Sequence, residues 1–138
     1  MKIINKPINK KKLIKEIDDA YLSAQEDNWD GYGASKVSEK NKELSLKIAE
    51  ILPDNVKHPT VVPDPDGSLS FEFYVRRDFV FSLGNDDKNF IYAGVFNDGN
   101  KLHGETRLRR PLPEEIKLIL EKYFLINKGE NINGKEKN

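Results

Sequence analysis

Residues 67–99 read GSLSFEFYVRRDFVFSLGNDDKNFIYAGVFNDG, and this stretch decides the fold. Every second residue from Leu69 to Val75 is apolar, which is the alternation of a strand with one buried face. The runs 79–83 and 90–96 repeat this alternation after short polar turns. The stretch therefore predicts three antiparallel strands in a meander, with an aromatic face that must be covered.

Further strands are predicted on both sides of this stretch. The Asp98-Gly99 pair predicts a type I′ hairpin turn, and a fourth strand is expected over residues 102–108. Residues 59–63 carry a proline at each limit, which suits a short edge strand. Residues 64–67, Asp-Pro-Asp-Gly, are expected to turn the chain into the sheet.

Three amphipathic helices are predicted around the sheet. The first is expected from an N-cap at Asn9 to about Asp27, the second from Ser35 or Ser38 to Leu52, and the third after Pro113. Their apolar stripes are Leu13, Ile17, Ala20 and Ala24; Val37, Leu44, Ile48 and Ile51; and Ile116, Ile119, Leu120, Tyr123 and Phe124.

This order of elements predicts an α+β domain. We expect two N-terminal helices, an antiparallel meander sheet of four to five strands, and one C-terminal helix packed on the same sheet face. The opposite sheet face is expected to be polar and open. Residues 1–8 are predicted to be a flexible basic leader, residues 9–126 a single domain, and residues 127–138 a disordered polar tail.

Composition excludes several classes of function. The 138 residues hold 23 basic and 23 acidic side chains, so no global positive field favours nucleic acid. The absence of cysteine excludes disulfides, thiol catalysis and thiolate metal sites. No run of apolar residues is long enough for a membrane span or a signal peptide. We therefore expect a cytoplasmic protein that binds neither membranes nor nucleic acid.

No complete metal or cofactor motif is present. Asp64, Asp66 and Glu72 resemble part of a magnesium nuclease site, but Tyr74 stands where such a site has lysine. Only two histidines are present, and no glycine loop follows a strand in the pattern that holds a phosphate. We therefore expect neither a metal nor a cofactor.

One set of residues could carry catalysis. If residues 102–108 are extended, His103, Glu105, Arg107 and Arg109 project to one face. A general acid–base pair beside cations is the composition of a metal-independent ribonuclease site. Alternating polar residues are also what an exposed sheet face carries without any catalysis, which is the interpretation we favour.

The corner between the first two helices holds the only tryptophan. Trp29 and Tyr32 flank Asp30 and two glycines, a composition that suits a compact turn. In one interpretation, these residues only fix the corner, with Asp30 accepting backbone N–H bonds from the second helix. In the other, they form a recognition surface with aromatic anchors.

Several short motifs occur in a fixed order. They are Trp-Asp-Gly-Tyr-Gly-Ala at 29–34, Asp66-Gly67 followed by Glu72, Tyr-Ala-Gly at 92–94, and His103-Gly104. With this order, the chain resembles an uncharacterised family of small bacterial proteins, although Phe73 stands where those proteins usually have tryptophan. The resemblance implies a fold and a dedicated protein partner, and it singles out the polar and aromatic positions Trp29, Asp30, Tyr32, Glu72, Tyr92 and His103.

The expected function is therefore a non-catalytic interaction module, the antitoxin or accessory member of a bacterial toxin–antitoxin or phage-defence cassette. The six positions singled out by the resemblance form either a structural knot or a binding surface. The alternatives are a metal-independent endoribonuclease that uses His103, Glu105 and Arg107, and a small anionic-ligand pocket bounded by Trp29, Tyr92 and Arg107. A homodimer is also compatible with an open sheet face.

Overall fold

The computed structural model describes residues 6–126. In order, the elements are α1 (Lys10–Leu22), α2 (Glu39–Ile51), β1 (Thr60–Pro63), β2 (Leu69–Arg76), β3 (Phe79–Asn85), β4 (Asn89–Val95), β5 (Lys101–Arg107) and α3 (Glu114–Phe124). The strands form one antiparallel sheet in the order β1-β2-β3-β4-β5. The predicted α+β class, with a meander between two N-terminal helices and one C-terminal helix, is confirmed.

Aromatic rings fill the space between the sheet and the helices. Phe71, Phe73, Phe81 and Phe90 are each at most 1% exposed. The ring of Phe124 in α3 lies 5.7 Å from that of Phe73 and thereby ties the last helix to the middle of the sheet. Burying one such side chain stabilises the fold by about 1.5–3 kcal/mol, so these rings dominate the packing energy.

Helices α1 and α2 begin at side-chain caps that the sequence indicates. The Asn9 side chain accepts from the Lys12 N–H, and the Ser38 hydroxyl accepts from the Asn41 N–H, each at 3.0 Å. These bonds satisfy N–H groups that have no partner within the helix. The predicted end of α1 near Asp27 is wrong: the helix ends at Leu22.

The inner face of α2 differs from the predicted apolar stripe. Its buried residues are Asn41, Ser45, Ile48 and Ala49, whereas Leu44 is only partly buried. The reason is a polar network. The amide nitrogen of Asn41 donates to Asn85 Oδ1 and Asp87 Oδ1, both at 2.9 Å, and its oxygen accepts from the Leu69 N–H at 2.8 Å. Helix α2 is therefore joined to the sheet by hydrogen bonds as well as by packing.

The turn between β4 and β5 is not the predicted type I′ turn. Only Gly99 has a positive φ, of 87°, and Gly99 donates to the Phe96 carbonyl at 2.9 Å. The loop is therefore a three-residue connection in which a type I turn is followed by a left-handed glycine.

The described chain makes contacts before the predicted domain start at residue 9. The Ile8 N–H donates to the Val56 carbonyl at 3.0 Å, and Pro7 forms an isolated bridge with Lys57. Residues 1–5 of the predicted leader and the predicted tail at 127–138 lie outside the described residues. Among residues 6–126, no helix has the length and apolar character needed to cross a lipid bilayer.

Candidate functional site

The loop between α1 and α2 holds three of the six residues that the resemblance singles out. Trp29 Nε1 donates to the Ser35 carbonyl at 2.8 Å. The Asp30 carboxylate accepts from the backbone N–H groups of Tyr32 at 2.8 Å and Ala34 at 3.1 Å. These bonds fold the loop back on itself, so Asp30 accepts from N–H groups of its own loop and not, as expected, from the second helix.

The Tyr32 side chain takes no part in this loop network. It is 93% exposed and lies between Gly31 and Gly33, whose φ values are 80° and 88°. These left-handed conformations favour glycine and let the loop turn tightly on both sides of the ring. Of the three loop residues, Tyr32 alone offers its side chain to another molecule.

The same loop docks on the turn at 64–67. The Ser35 N–H donates to the Pro65 carbonyl at 2.8 Å. A Cβ at Gly67 would lie 2.9 Å from the Lys36 carbonyl oxygen, and the φ of Gly67 is 93°. The glycine of the Asp-Gly motif is therefore required by close packing of this turn against the loop.

Tyr92 lies on the helix side of the sheet, over Gly104. A Cβ at Gly104 would come within 2.5 Å of the Tyr92 hydroxyl oxygen, so the His-Gly motif needs glycine to accommodate the ring. The Tyr92 hydroxyl is 3.4 Å from Glu115 Oε2. Burial, together with the charge of Glu115, raises the pKa of Tyr92, which keeps the hydroxyl protonated.

Gly94 of the Tyr-Ala-Gly motif has a similar packing role. A Cβ at this position would lie 2.6 Å from the Phe96 ring and 3.1 Å from the Phe81 ring. The glycines of both motifs therefore make room for aromatic side chains in the core.

The opposite side of the sheet is covered by no element within residues 6–126. We call this surface the open face. Strand register arranges it in three rows: Tyr74, Val80, Val95 and Lys101; Thr60, Glu72, Ser82, Ala93 and His103; and Val62, Ser70, Gly84, Ile91 and Glu105.

Glu72 and His103 share the middle row of the open face without touching. Two strands separate them, which places their Cα atoms about 14 Å apart at about 4.8 Å per strand. Tyr92 projects to the other side of the sheet, since it pairs with Gly104 and not with His103. The six residues therefore lie in three places: the loop, the open face and the helix side.

The centre of the open face is more apolar than predicted. Ile91 is 42% exposed, Ala93 beside it is exposed, and Val80 and Val95 are partly buried. Tyr74, which is 49% exposed, borders this centre. Exposed apolar residues that are contiguous on one face are typical of interaction surfaces.

A depression of about 410 Å³ joins this centre to the turn at 64–67. Its lining includes Asp64, Ser70, Ser82, Ile91 and Ala93. Burial is the largest effect on Asp64 and raises its pKa, the charges of Asp66 and Glu72 raise it further, and hydrogen bonds from Ser70 and Ser68 oppose the shift. One edge of the open face is therefore acidic.

The opposite edge of the open face carries the predicted catalytic set. His103, Glu105 and Arg107 project from β5 to the open face, as their spacing predicts, and all three are exposed. Within residues 6–126, their side chains form no hydrogen bond or ion pair with another residue. Arg107 and Tyr92 lie on opposite sides of the sheet, so these two residues and Trp29 do not bound one pocket.

A His–Glu pair outside the predicted set joins α1 to the segment before β1. His58 Nε2 lies 2.6 Å from Glu16 Oε1, and His58 Nδ1 accepts from the Asn9 N–H at 3.2 Å. Because Nδ1 accepts, the ring hydrogen lies on Nε2, which donates a hydrogen bond to Glu16 Oε1. Both ring nitrogens are used, so His58 is structural. Because the partners lie 42 positions apart in the chain, the sequence gives no signal for this contact.

The described chain, residues 6–126, contains no cluster of three or more histidine, aspartate or glutamate side chains arranged to hold a metal ion. No family model, curated protein or solved structure matches this chain. Functional inference therefore depends on the site geometry.

Proposed function

We propose that this chain is a non-catalytic module that binds a partner protein across its open face. In this proposal it acts in the cytoplasm as the antitoxin or accessory member of a bacterial toxin–antitoxin or phage-defence cassette. The observation that carries the proposal is the uncovered apolar centre at Ile91 and Ala93, with charged residues on both edges.

This arrangement supports protein binding for a physical reason. Protein interfaces typically place apolar side chains at the centre and polar side chains at the rim. On the open face, Val80, Ile91 and Ala93 lie between Glu72 on one side and His103 on the other. A partner that covers the centre removes apolar surface from water, and the rim selects the orientation in which it binds.

Tyr32 supports the same proposal from a second position. Its ring is 93% exposed, on the loop that docks on the turn at 64–67. Tyrosine is enriched among the residues that dominate binding energy at interfaces. In the proposed complex, Tyr32 contacts the partner where the acidic edge ends.

The proposal is tested by co-expressing the chain with the product of its neighbouring open reading frame and purifying the complex at physiological salt. We expect a stable complex that Ala93→Arg disrupts, because the substitution places an unpaired charge at the centre of the interface. Leu118→Arg is the matched control, since Leu118 is a 55% exposed apolar residue on α3. Recovery of the chain without a stable partner, both here and from the native host, contradicts the proposal.

One observation favours a second candidate function, a metal-independent endoribonuclease. His103, Glu105 and Arg107 lie exposed on one face of β5, where an acid–base pair and a cation could act on a phosphodiester. RNA cleavage that persists with a chelator and is lost in His103→Ala supports this candidate. A folded protein that leaves RNA intact excludes it.

A further inference from the structure

The open face is complementary to a copy of itself. We propose that two copies of this chain pair open face to open face, about a two-fold axis that runs parallel to the strands between β3 and β4. This axis places β3 of one copy over β4 of the other, and β2 over β5. The inference goes beyond the proposed function, because it names a second occupant of the same surface.

The central strands match under this symmetry. In each row, the residue of β3 faces the residue of β4 in the second copy. Val80 meets Val95, Ser82 meets Ala93, and Gly84, which has no side chain, meets Ile91. The largest apolar side chain at the centre is therefore received by the smallest residue, as knob-and-hole packing requires.

The outer strands also match. Glu72 on β2 meets His103 on β5 of the second copy, whereas Ser70, which lies opposite Glu105, is buried and hydrogen-bonded to Asp64 and takes no part in the pairing. Tyr74 meets Lys101, whose aliphatic stem and ammonium group both pack favourably on an aromatic ring. All three rows thus pair compatible groups at the centre, and two of them do so at the rim as well.

The charges select this axis over the other two-fold arrangement. A two-fold axis perpendicular to the strands would place β2 over β2 of the second copy, so that the Glu72 carboxylate faces its own counterpart. Like charges that face each other across an interface are unfavourable. The axis parallel to the strands instead brings Glu72 of each copy to His103 of the other.

The size of the face sets the strength of the pairing. Seven residues at about 3.3 Å and five strands at about 4.8 Å give a face of roughly 550 Å². The pairing overlaps only four of the five strands, since β1 lies over no strand of the second copy, so two copies together bury about 900 Å², the size of weak, transient interfaces. We therefore expect a reversible dimer with micromolar affinity, which a partner protein that binds the same face displaces.

Sedimentation equilibrium of the full chain over a wide concentration range tests the pairing. The expected result is a monomer–dimer equilibrium that Ala93→Arg weakens by about tenfold or more and that Leu118→Arg leaves unchanged. Thermal unfolding of each variant checks that the fold is intact. A chain that stays monomeric up to about 1 mM, or a dimer that is insensitive to Ala93→Arg, overturns the inference.

A charge-exchange experiment tests the symmetry directly. Glu72→Lys and His103→Glu are each expected to weaken self-association, because the first removes the carboxylate that faces the His103 imidazole and the second places two carboxylates opposite each other, in each case twice in the dimer. Mixing the two single variants is expected to restore dimers, since one contact then joins the introduced lysine to the introduced glutamate and the other keeps the native pair of Glu72 and His103. Dimers that do not recover on mixing overturn the proposed axis.

These results are separable from the proposed function. A monomeric chain that still binds the neighbouring gene product through Ala93 refutes the dimer and supports the proposed function. A dimer that shows the expected variant effects, in a chain that binds no partner protein, supports the dimer and refutes the proposed function.

Discussion

Asn41 is a position at which exchanging one side-chain atom should lower the stability of the fold. The side chain is 2% exposed and connects α2 to β2 and to the end of β3. Asn41→Asp keeps the shape and the oxygen that accepts from Leu69, but it replaces the NH₂ group with an acceptor. The new oxygen then faces Asn85 Oδ1 and Asp87 Oδ1, each 2.9 Å from the original nitrogen.

The magnitude follows from these two lost bonds. Losing the partner of a buried polar group costs about 1–3 kcal/mol, and Asp87 is exposed, so water replaces part of its loss. We expect the free energy of unfolding to fall by about 3 kcal/mol at pH 7. Asn97→Asp, the same change on an exposed turn, is the matched control and should stay within about 0.5 kcal/mol of wild type.

The pH dependence identifies the cause of this loss. Burial and the neighbouring acceptors raise the pKa of the introduced carboxyl above its unfolded value of about 3.9. The destabilisation is therefore complete above the folded pKa and shrinks as the pH falls through it, because the protonated group regains one donor. Urea unfolding of wild type, Asn41→Asp and the control from about pH 7 to about pH 4 measures this. A loss below about 0.5 kcal/mol, or one that is independent of pH, refutes the reasoning.

Three further predictions concern other parts of the chain. Lys10→Met should destabilise the fold by about 1–2 kcal/mol, measured by urea unfolding. The reason is that Lys10 Nζ donates to three carbonyls at the end of α2, at 2.7, 3.0 and 2.9 Å. Lys10→Arg, which keeps the positive charge, should lower the free energy of unfolding by less. Gly104→Ala should cost about 1–3 kcal/mol by crowding Tyr92, and a Tyr92→Leu background should reduce that cost; equal costs in both backgrounds would contradict the packing argument. Asp64→Asn should raise the melting temperature at pH 7, because the raised pKa of Asp64 makes its charge unfavourable in the folded state. The gain should disappear by about pH 3, where the carboxyl is protonated in both states, and a gain that persists there would have another cause.

The sheet was predictable because its signal is local. Alternation places Phe71 and Phe73 on one side of β2, and the same two-residue period places Phe81 on that side of β3. Similarly, proline and two glutamates mark the beginning of α3 within five residues. Each of these signals depends on residues close together in the chain.

Contacts between distant elements could not be predicted in this way. The Asn41 amide appears in sequence as a polar interruption of an apolar stripe, and only Asn85 and Asp87, 44 and 46 residues away, explain it. Glu16 and His58 are likewise separated by 42 residues. Since a polar side chain is satisfied by whatever the tertiary fold brings near, its own neighbourhood in sequence says little about its partner.

The alternation of side chains along each strand explains why the residues of one motif lie on opposite sides of the sheet. It also indicates which of them are free to bind another molecule. Neighbouring residues in a strand face opposite sides, so Gly104 accommodates Tyr92 in the core while His103 projects to the open face. In the same way, Ala93 is exposed between Tyr92 and Gly94, which both serve packing. Each motif therefore combines positions that the core constrains with positions that it leaves free. If a substitution at Ala93 or His103 alters binding without altering stability, that position is one that the core leaves free for function.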